Sequence, residues 1–299
     1  MKKLYLFIII NFSITNLFAC NICGCGLGGY HYGILPQFQK NFVGLRYDYR
    51  SYTSHMDESH TFDTSNEFFQ NIELWGRFYP SKRIQVFAFV PYKINYRDEG
   101  SETLRLKGLG DIRISANFNL INTYDSSNTI VKNTLLLGAG IKLPTGRFTE
   151  IRDGLTVNQN FQLGTGSVDY VINLIHTIRY KKLGLNTEAA YSFNTTNKDE
   201  YKFGNTITGN MSVFYIYNKN FLTLMPHTGM SYECNKDNSQ FGIPYEDTGG
   251  WATLYQAGVD TFFKNVSLGI TYSHPGKQDL FNGSVHAHDR YSVRISIMI

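Results

Sequence analysis

Three cysteines, Cys20, Cys23 and Cys25, crowd into the stretch CNICGCGLGGYHY, with His31 close behind. Thiolates at C-x2-C and C-x-C spacing on a glycine-bearing loop can turn toward one soft metal ion, and His31 would add an imidazole nitrogen. Copper(I) suits such a thiolate-rich set, and zinc takes the same donors. Two other readings fit the same residues. An internal disulfide from Cys20 to Cys23 or Cys25 is favoured by an oxidising compartment. Alternatively Cys20 carries lipid as the first residue of a lipoprotein, with Leu17 and Ala19 suitable before it and Phe18 less so. The fourth cysteine, Cys234, stands far down the chain. The topology expected below puts it a membrane thickness away from the others. Non-reducing peptide mapping is therefore expected to find Cys234 bonded to none of them, and any such bond would contradict that topology.

His286 and His288, with His274 nearby, fall in one expected loop and His55 and His60 in another. The two loops are neighbours if the first strand closes on the last. Imidazoles so placed either hold a divalent ion or are solvated loop histidines. His176 lies between Leu174 and Ile178 on an apolar face, but no serine lies two residues away. No GxSxG, HExxH or P-loop occurs, so the sequence points away from an enzyme.

The elements that must position these residues begin after an address. Lys2 and Lys3 lead an apolar stretch to Phe18 with Ala19 at a cleavable position, which reads as a signal peptide over 1–19. The Cys/Gly-rich segment then spans 20–39. Beyond it no apolar run is long enough for a membrane helix. Yet charged residues make up only 17% of the chain, against about 25% in soluble domains, and aromatics reach 15%. Part of this surface is expected to meet something other than water. Without the two leader lysines the 28 basic residues become 26, against 24 acidic ones, so nucleic-acid binding has no electrostatic support.

From residue 40 the dominant pattern is a period of two. In 84–97 the even positions, Ile84 to Tyr96, are apolar or aromatic, while Gln85, Lys93, Asn95 and Arg97 lie among the odd ones. The same split recurs in 109–120 and 290–299. About twelve strands follow, and their connections alternate short and long. The short ones are PSKR after Tyr79, KKLG after Tyr180, NKN after Tyr217 and Lys264–Asn265, with a longer Asn/Asp/Ser link near 125. The long ones fall near 53–66, 98–108, 145–166, 195–204, 234–250 and 275–288. Phe78, Tyr79, Tyr180, Tyr215, Tyr217, Phe262 and Phe263 stand just before short turns, as an interfacial girdle requires. These features predict an all-β fold, a closed antiparallel transmembrane β-barrel of about 12 strands over 40–299 in a Gram-negative outer membrane, with both termini periplasmic.

The face turned from lipid would then carry Arg46, Asp48, Arg50, Glu73, Arg77, Lys93, Arg97, Asp111, Arg113, Lys142, Asp169, Arg179, Glu188, Asp260, Arg290 and Arg294. Opposite charges can pair across so narrow a lumen, filling and stiffening it rather than leaving a wide hole. The arginine excess would favour anions in any remaining pore. Closure of the first strand on the last is expected to bring Arg46 and Arg294 together.

Three stretches, LKGLGDIRISANFNL at 106–120, LLGAGIKLPTGRF at 136–148 and GTGSVDY at 164–170, resemble the outer-membrane family named for the meta-cleavage pathway of phenol degradation. The resemblance covers roughly 105–195 and does not reach the cysteine segment. It implies a barrel akin to hydrocarbon and fatty-acid uptake channels. The expectation is passive transport of a small solute, either a hydrophobic aromatic compound as the resemblance implies or a metal ion as the cysteines hint. The outer-membrane bilayer, a small-molecule or ion substrate and room for a periplasmic partner complete the expected surroundings; a barrel serving only to anchor a metal-binding cysteine segment is the other reading.

Overall fold

The computed structural model describes residues 40–55, 64–98, 103–124, 129–152 and 155–299. Twelve barrel strands run in chain order: β1 Phe42–His55, β2 Thr64–Ser81, β3 Ile84–Asp98, β4 Thr103–Leu109 continued by Ile112–Asn122, β5 Val131–Leu143 and β6 Asp169–Tyr180. They are followed by β7 Leu183–Phe193, β8 Thr206–Tyr215 continued by Tyr217–Lys219, β9 Leu222–Asn235, β10 Gly250–Phe263, β11 Val266–Leu280, and β12 Val285–Ala287 continued by Arg290–Met298. Each pairs antiparallel with its chain neighbours. The sheet closes where β12 meets β1, in register from Phe42 opposite Met298 to Tyr49 opposite Tyr291.

Because strand side chains alternate between faces, the period-two pattern becomes an outside and an inside. Val43, Leu45, Ile172, Leu174, Leu268, Ile270, Ile295 and Ile297 are all exposed on the outer face. A continuous apolar band of this kind is a surface for hydrocarbon. The tight turns are built as right-twisted hairpins require: Lys181, Asn220 and Lys264 open two-residue connections with φ of 52°, 52° and 51°.

Two expected long loops are largely strand. Residues 103–109 extend β4 beneath a short connection, and β11 runs on to Leu280 where 275–288 was expected to loop. Polar residues mislead there because both strands rise beyond the apolar band, where no hydrophobic alternation is demanded. The remaining long connections leave the same end of the barrel, opposite the tight turns. The β5–β6 connection carries a small sheet of its own, Ile151–Arg152 with Leu155–Thr156, and the β7–β8 and β9–β10 connections share another, Tyr201–Lys202 with Ser239–Gln240 and Ile243–Pro244.

The inside is not uniformly polar. Toward the tight turns, Phe42, Trp75, Phe87, Phe89, Leu136, Ile175, Phe214, Ile216, Met225, Phe262 and Met298 form one buried cluster. Phe262, expected in the girdle, points into this layer and is 6% exposed, while its neighbour Phe263 faces outward. Sequence alternation assigned it by proximity to the turn, and register decides otherwise.

Candidate functional site

Above the apolar layer the inward face turns to charge. Glu73, at 0% exposure, is held between two guanidinium groups, Arg46 on β1 and Arg113 on β4, the latter at 2.5 Å. Arg46 also meets Asp48 at 3.3 Å. The same two arginines lie over aromatic faces of the apolar layer: Arg46 is 5.3 Å from the centre of Trp75, and Arg113 is 5.1 Å from that of Phe89. Charge and apolar plug thus meet through guanidinium groups set over aromatic rings, and a guanidinium tolerates an apolar neighbour better than an ammonium does.

Around the lumen, Arg290 binds Glu233 at 3.0 Å, Arg294 binds Asp260 at 2.8 Å, and Arg97 faces Glu67 at 3.5 Å. Glu188 accepts from Asn186, and Arg179 stacks on Tyr124 at 4.9 Å. Arg77 donates to the Lys40 carbonyl. Arg46 and Arg294 are direct partners across the closing seam. Each is satisfied by its own carboxylate rather than repelling the other. Glu67, Glu233 and His227, whose Nε2 lies 3.7 Å from Asp260, belong to the same lining and escaped the sequence reading. Period two alone would have placed Glu67 and Glu233 inward.

Breaking one partner of such a pair leaves a buried charge. Arg294→Gln is expected to destabilise the barrel by about 3–5 kcal/mol in denaturant unfolding, and Asp260→Asn added to it to restore much of the loss. Equal, additive losses would show that the two groups do not interact.

The three sequence stretches that carried the family resemblance meet at one place. Asp111, in the break within β4, accepts from the Gly146 N–H at 3.0 Å and from the Thr165 N–H and hydroxyl at 2.9 and 3.0 Å. Lys142 sits between Asp111, at 3.3 Å, and Asp169. Thr145 donates its hydroxyl to the Gly110 carbonyl and accepts from the Ile112 N–H. Gly146 and Gly164 pass so close that a β-carbon on Gly164 would stand 2.4 Å from the Gly146 carbonyl oxygen. Only glycine fits there.

This junction ties down the connection between β5 and β6. Its short 3-10 turn, Gln159–Phe161, folds back against the inner wall. Phe161 and Leu163 are 0% exposed and pack with Leu106 and Val157. Phe161 meets Phe69 of β2 at 5.7 Å, and its carbonyl accepts from Asn95 of β3 at 2.8 Å. The connection therefore narrows the lumen from the long-loop end. Between it and the stacked arginines lies a cavity of about 260 Å³, bounded by Arg50, Lys93, Asn71 and Lys142 on the charged wall and by Ser192, Thr206 and Thr208 opposite.

No family model and no curated protein sequence matches the chain. Solved structures do. An outer membrane channel from Pseudomonas putida F1 superposes over 87% of this chain and 96% of its own with a TM-score of 0.62 at 14% identity. The fold is that of an outer-membrane barrel. The β domain of the Bordetella autotransporter BrkA covers 87% of this chain and 100% of its own, with a TM-score of 0.51 at 10% identity. At these identities the likeness is one of architecture.

The remaining described sequence candidates, Cys234, His176 and His274, lie off the lumen face of their strands. Cys20, Cys23, Cys25 and His31, with the copper or zinc they were read to hold, fall outside the described residues, as does His60. Cys234, half-buried and in no disulfide among the described residues, faces Ile207 and Trp251 at the long-loop end of β9. His176 is hydrogen-bonded to Asn133 at 2.9 Å. His274 bonds Asp289 at 2.7 Å at the outer rim. That bond, ahead of all else, holds the Asp289 carboxyl below its ordinary range. A depressed carboxyl contributes above its unfolded pKa and loses the contribution as pH falls through the lowered value, so this contact is expected to survive neutral pH and fail only below about pH 4.

Proposed function

We propose that this chain is a passive outer-membrane channel for a small, weakly polar aromatic solute, with its long loops external and both termini periplasmic. The single observation that carries the reading is the layered lumen. A cavity of about 260 Å³ with room for a ring-sized molecule is followed, on the path through the barrel, by a dry aromatic layer. Ions and sugars pay a large desolvation cost at such a layer, whereas a phenol-like ring exchanges one apolar environment for another. Tyr52, Phe69, Phe203 and Phe281 reach the cavity among its polar groups, a mixture that suits a ring bearing a hydroxyl. The driving force in this reading is the solute's concentration gradient.

Proteoliposomes are the direct test. Influx of phenol should exceed that of glucose well beyond their difference in protein-free vesicles, and ionic conductance should stay low. Equal acceleration of both solutes would make the protein a general pore.

The cysteine segment supports a second reading, a metal-handling barrel. Elemental analysis with thiol titration of the mature protein, against a variant with Cys20, Cys23 and Cys25 changed to serine, tests it. About one equivalent of copper or zinc lost in the variant would move metal ions to the head of the substrate candidates. Oxidised or lipidated cysteines without metal would leave the aromatic solute.

A further inference from the structure

Three adjacent strands, β11, β12 and β1, carry an outward-facing row of histidines that the lumen does not use. The row stands just beyond a band of outward tyrosines, Tyr272, Tyr291 and Tyr49, whose rings are 5.5 and 6.2 Å apart in sequence across the strands. Above them come His274 with Asp289, then His288 with Thr53, then His286 with His55. The last pair is different in kind from the others.

His274 and His288 are each engaged by a hydrogen-bond partner. Thr53 gives its one hydroxyl proton to Asn66 Oδ1 at 3.0 Å, so at 2.8 Å from His288 Nε2 it acts as acceptor. His55 and His286 meet each other instead, edge to face, with ring centres 5.6 Å apart and planes at 71°. Two imidazoles bound to one ion at about 2.1 Å place their centres roughly 5–6 Å apart, so the pair already has the separation that shared coordination needs.

We propose that His55 and His286 form the core of a binding site for an imidazole-preferring divalent transition metal, copper(II) or zinc, that clips the seam where the first strand closes on the last. His288 lies on the same face of β12 two residues from His286 and is the nearest further imidazole. Among the described residues no three such donors converge on one point, so the pair is the core of the site, and water, joined by His288 on rotation away from Thr53, fills the remaining positions. The carboxylate of Asp289 stays with His274. The site is separate from the transport reading and from the N-terminal cysteines.

The test uses the full mature chain in detergent, purified without a polyhistidine tag, with Cys20, Cys23 and Cys25 changed to serine so that only this site is read. Titration with Cu2+ followed by electron paramagnetic resonance should show about one bound ion with nitrogen hyperfine structure from at least two imidazoles. His55→Gln and His286→Gln should each abolish that signal, His288→Gln should weaken it, and His274→Gln should leave it. Zn2+ should raise the unfolding temperature of the parent and not of the His55→Gln/His286→Gln double variant. The affected side chains are exposed, and heat-modifiable gel migration checks that each barrel is folded. A copper signal that persists in the double variant, or one that depends on His60 but not on His286, overturns the proposal.

Discussion

Changing Asp111 to asparagine is expected to release the β5–β6 connection from the inner wall, raising amide hydrogen exchange over residues 157–166 by roughly two orders of magnitude. Asp111 accepts three hydrogen bonds from Gly146 and Thr165 and holds one side of Lys142. Hydrogen bonds to a buried charge are worth about 1.5–3 kcal/mol each, and an amide in its place turns a donor toward groups that are already donors. A net loss of about 3 kcal/mol in the closed state corresponds to roughly a hundredfold rise in the open population. Because exchange reports local opening, the barrel strands should keep their protection while the connection loses it. A short bis-maleimide joining cysteines placed at Phe69 and Phe161, whose rings are 5.7 Å apart, should restore slow exchange in the Asp111→Asn protein. Uniform loss of protection across β4, β5 and β6 would mean that Asp111 supports the wall and not the connection.

That prediction also explains why the resemblance motifs were legible while their work was not. Gly110, Asp111, Pro144, Thr145, Gly146 and the GTGS run stand out in the chain because turns and close approaches demand those residue types. Their convergence is a property of strand register, which pairs Ile112 with Leu143 and Lys142 with Asp169 and so stacks three separate segments at one height of the barrel. The strand count followed from alternation together with the turn residues that interrupt it, since a period of two needs no partner to be read. Which arginine meets which carboxylate did not. The aromatic layer was hidden for a different reason: Phe87 and Phe89 interrupt the polar side of an otherwise clean amphipathic strand, and an aromatic on either face satisfies β propensity equally well. Only when Trp75, Phe89, Phe214 and Met225 are brought to the same depth do they amount to a barrier.

That barrier is where selectivity is expected to be lost. Trp75 stacks on Phe89 at 6.3 Å with planes at 16°, Phe42 meets Trp75 edge-on at 4.6 Å, and Phe87 continues the stack at 6.0 Å from Phe89. In planar bilayers the unaltered protein should pass little ionic current, because a dry aromatic constriction excludes hydrated ions. The Trp75→Ala/Phe89→Ala variant removes two rings from the middle of the layer, at a cost of about 3–5 kcal/mol each in stability, and admits water beside Arg46 and Arg113. Those arginines then line an aqueous path, so the new current should prefer anions. Trp75→Leu/Phe89→Leu separates polarity from packing: it stays apolar and should remain nearly non-conducting while losing less stability. Phenol influx should persist in all three proteins, since an apolar solute crosses the layer with or without water in it. A parent protein that already carries steady ionic current, unchanged by the alanine variant, would show that solutes bypass this layer and that the cavity above it is not on the transport path.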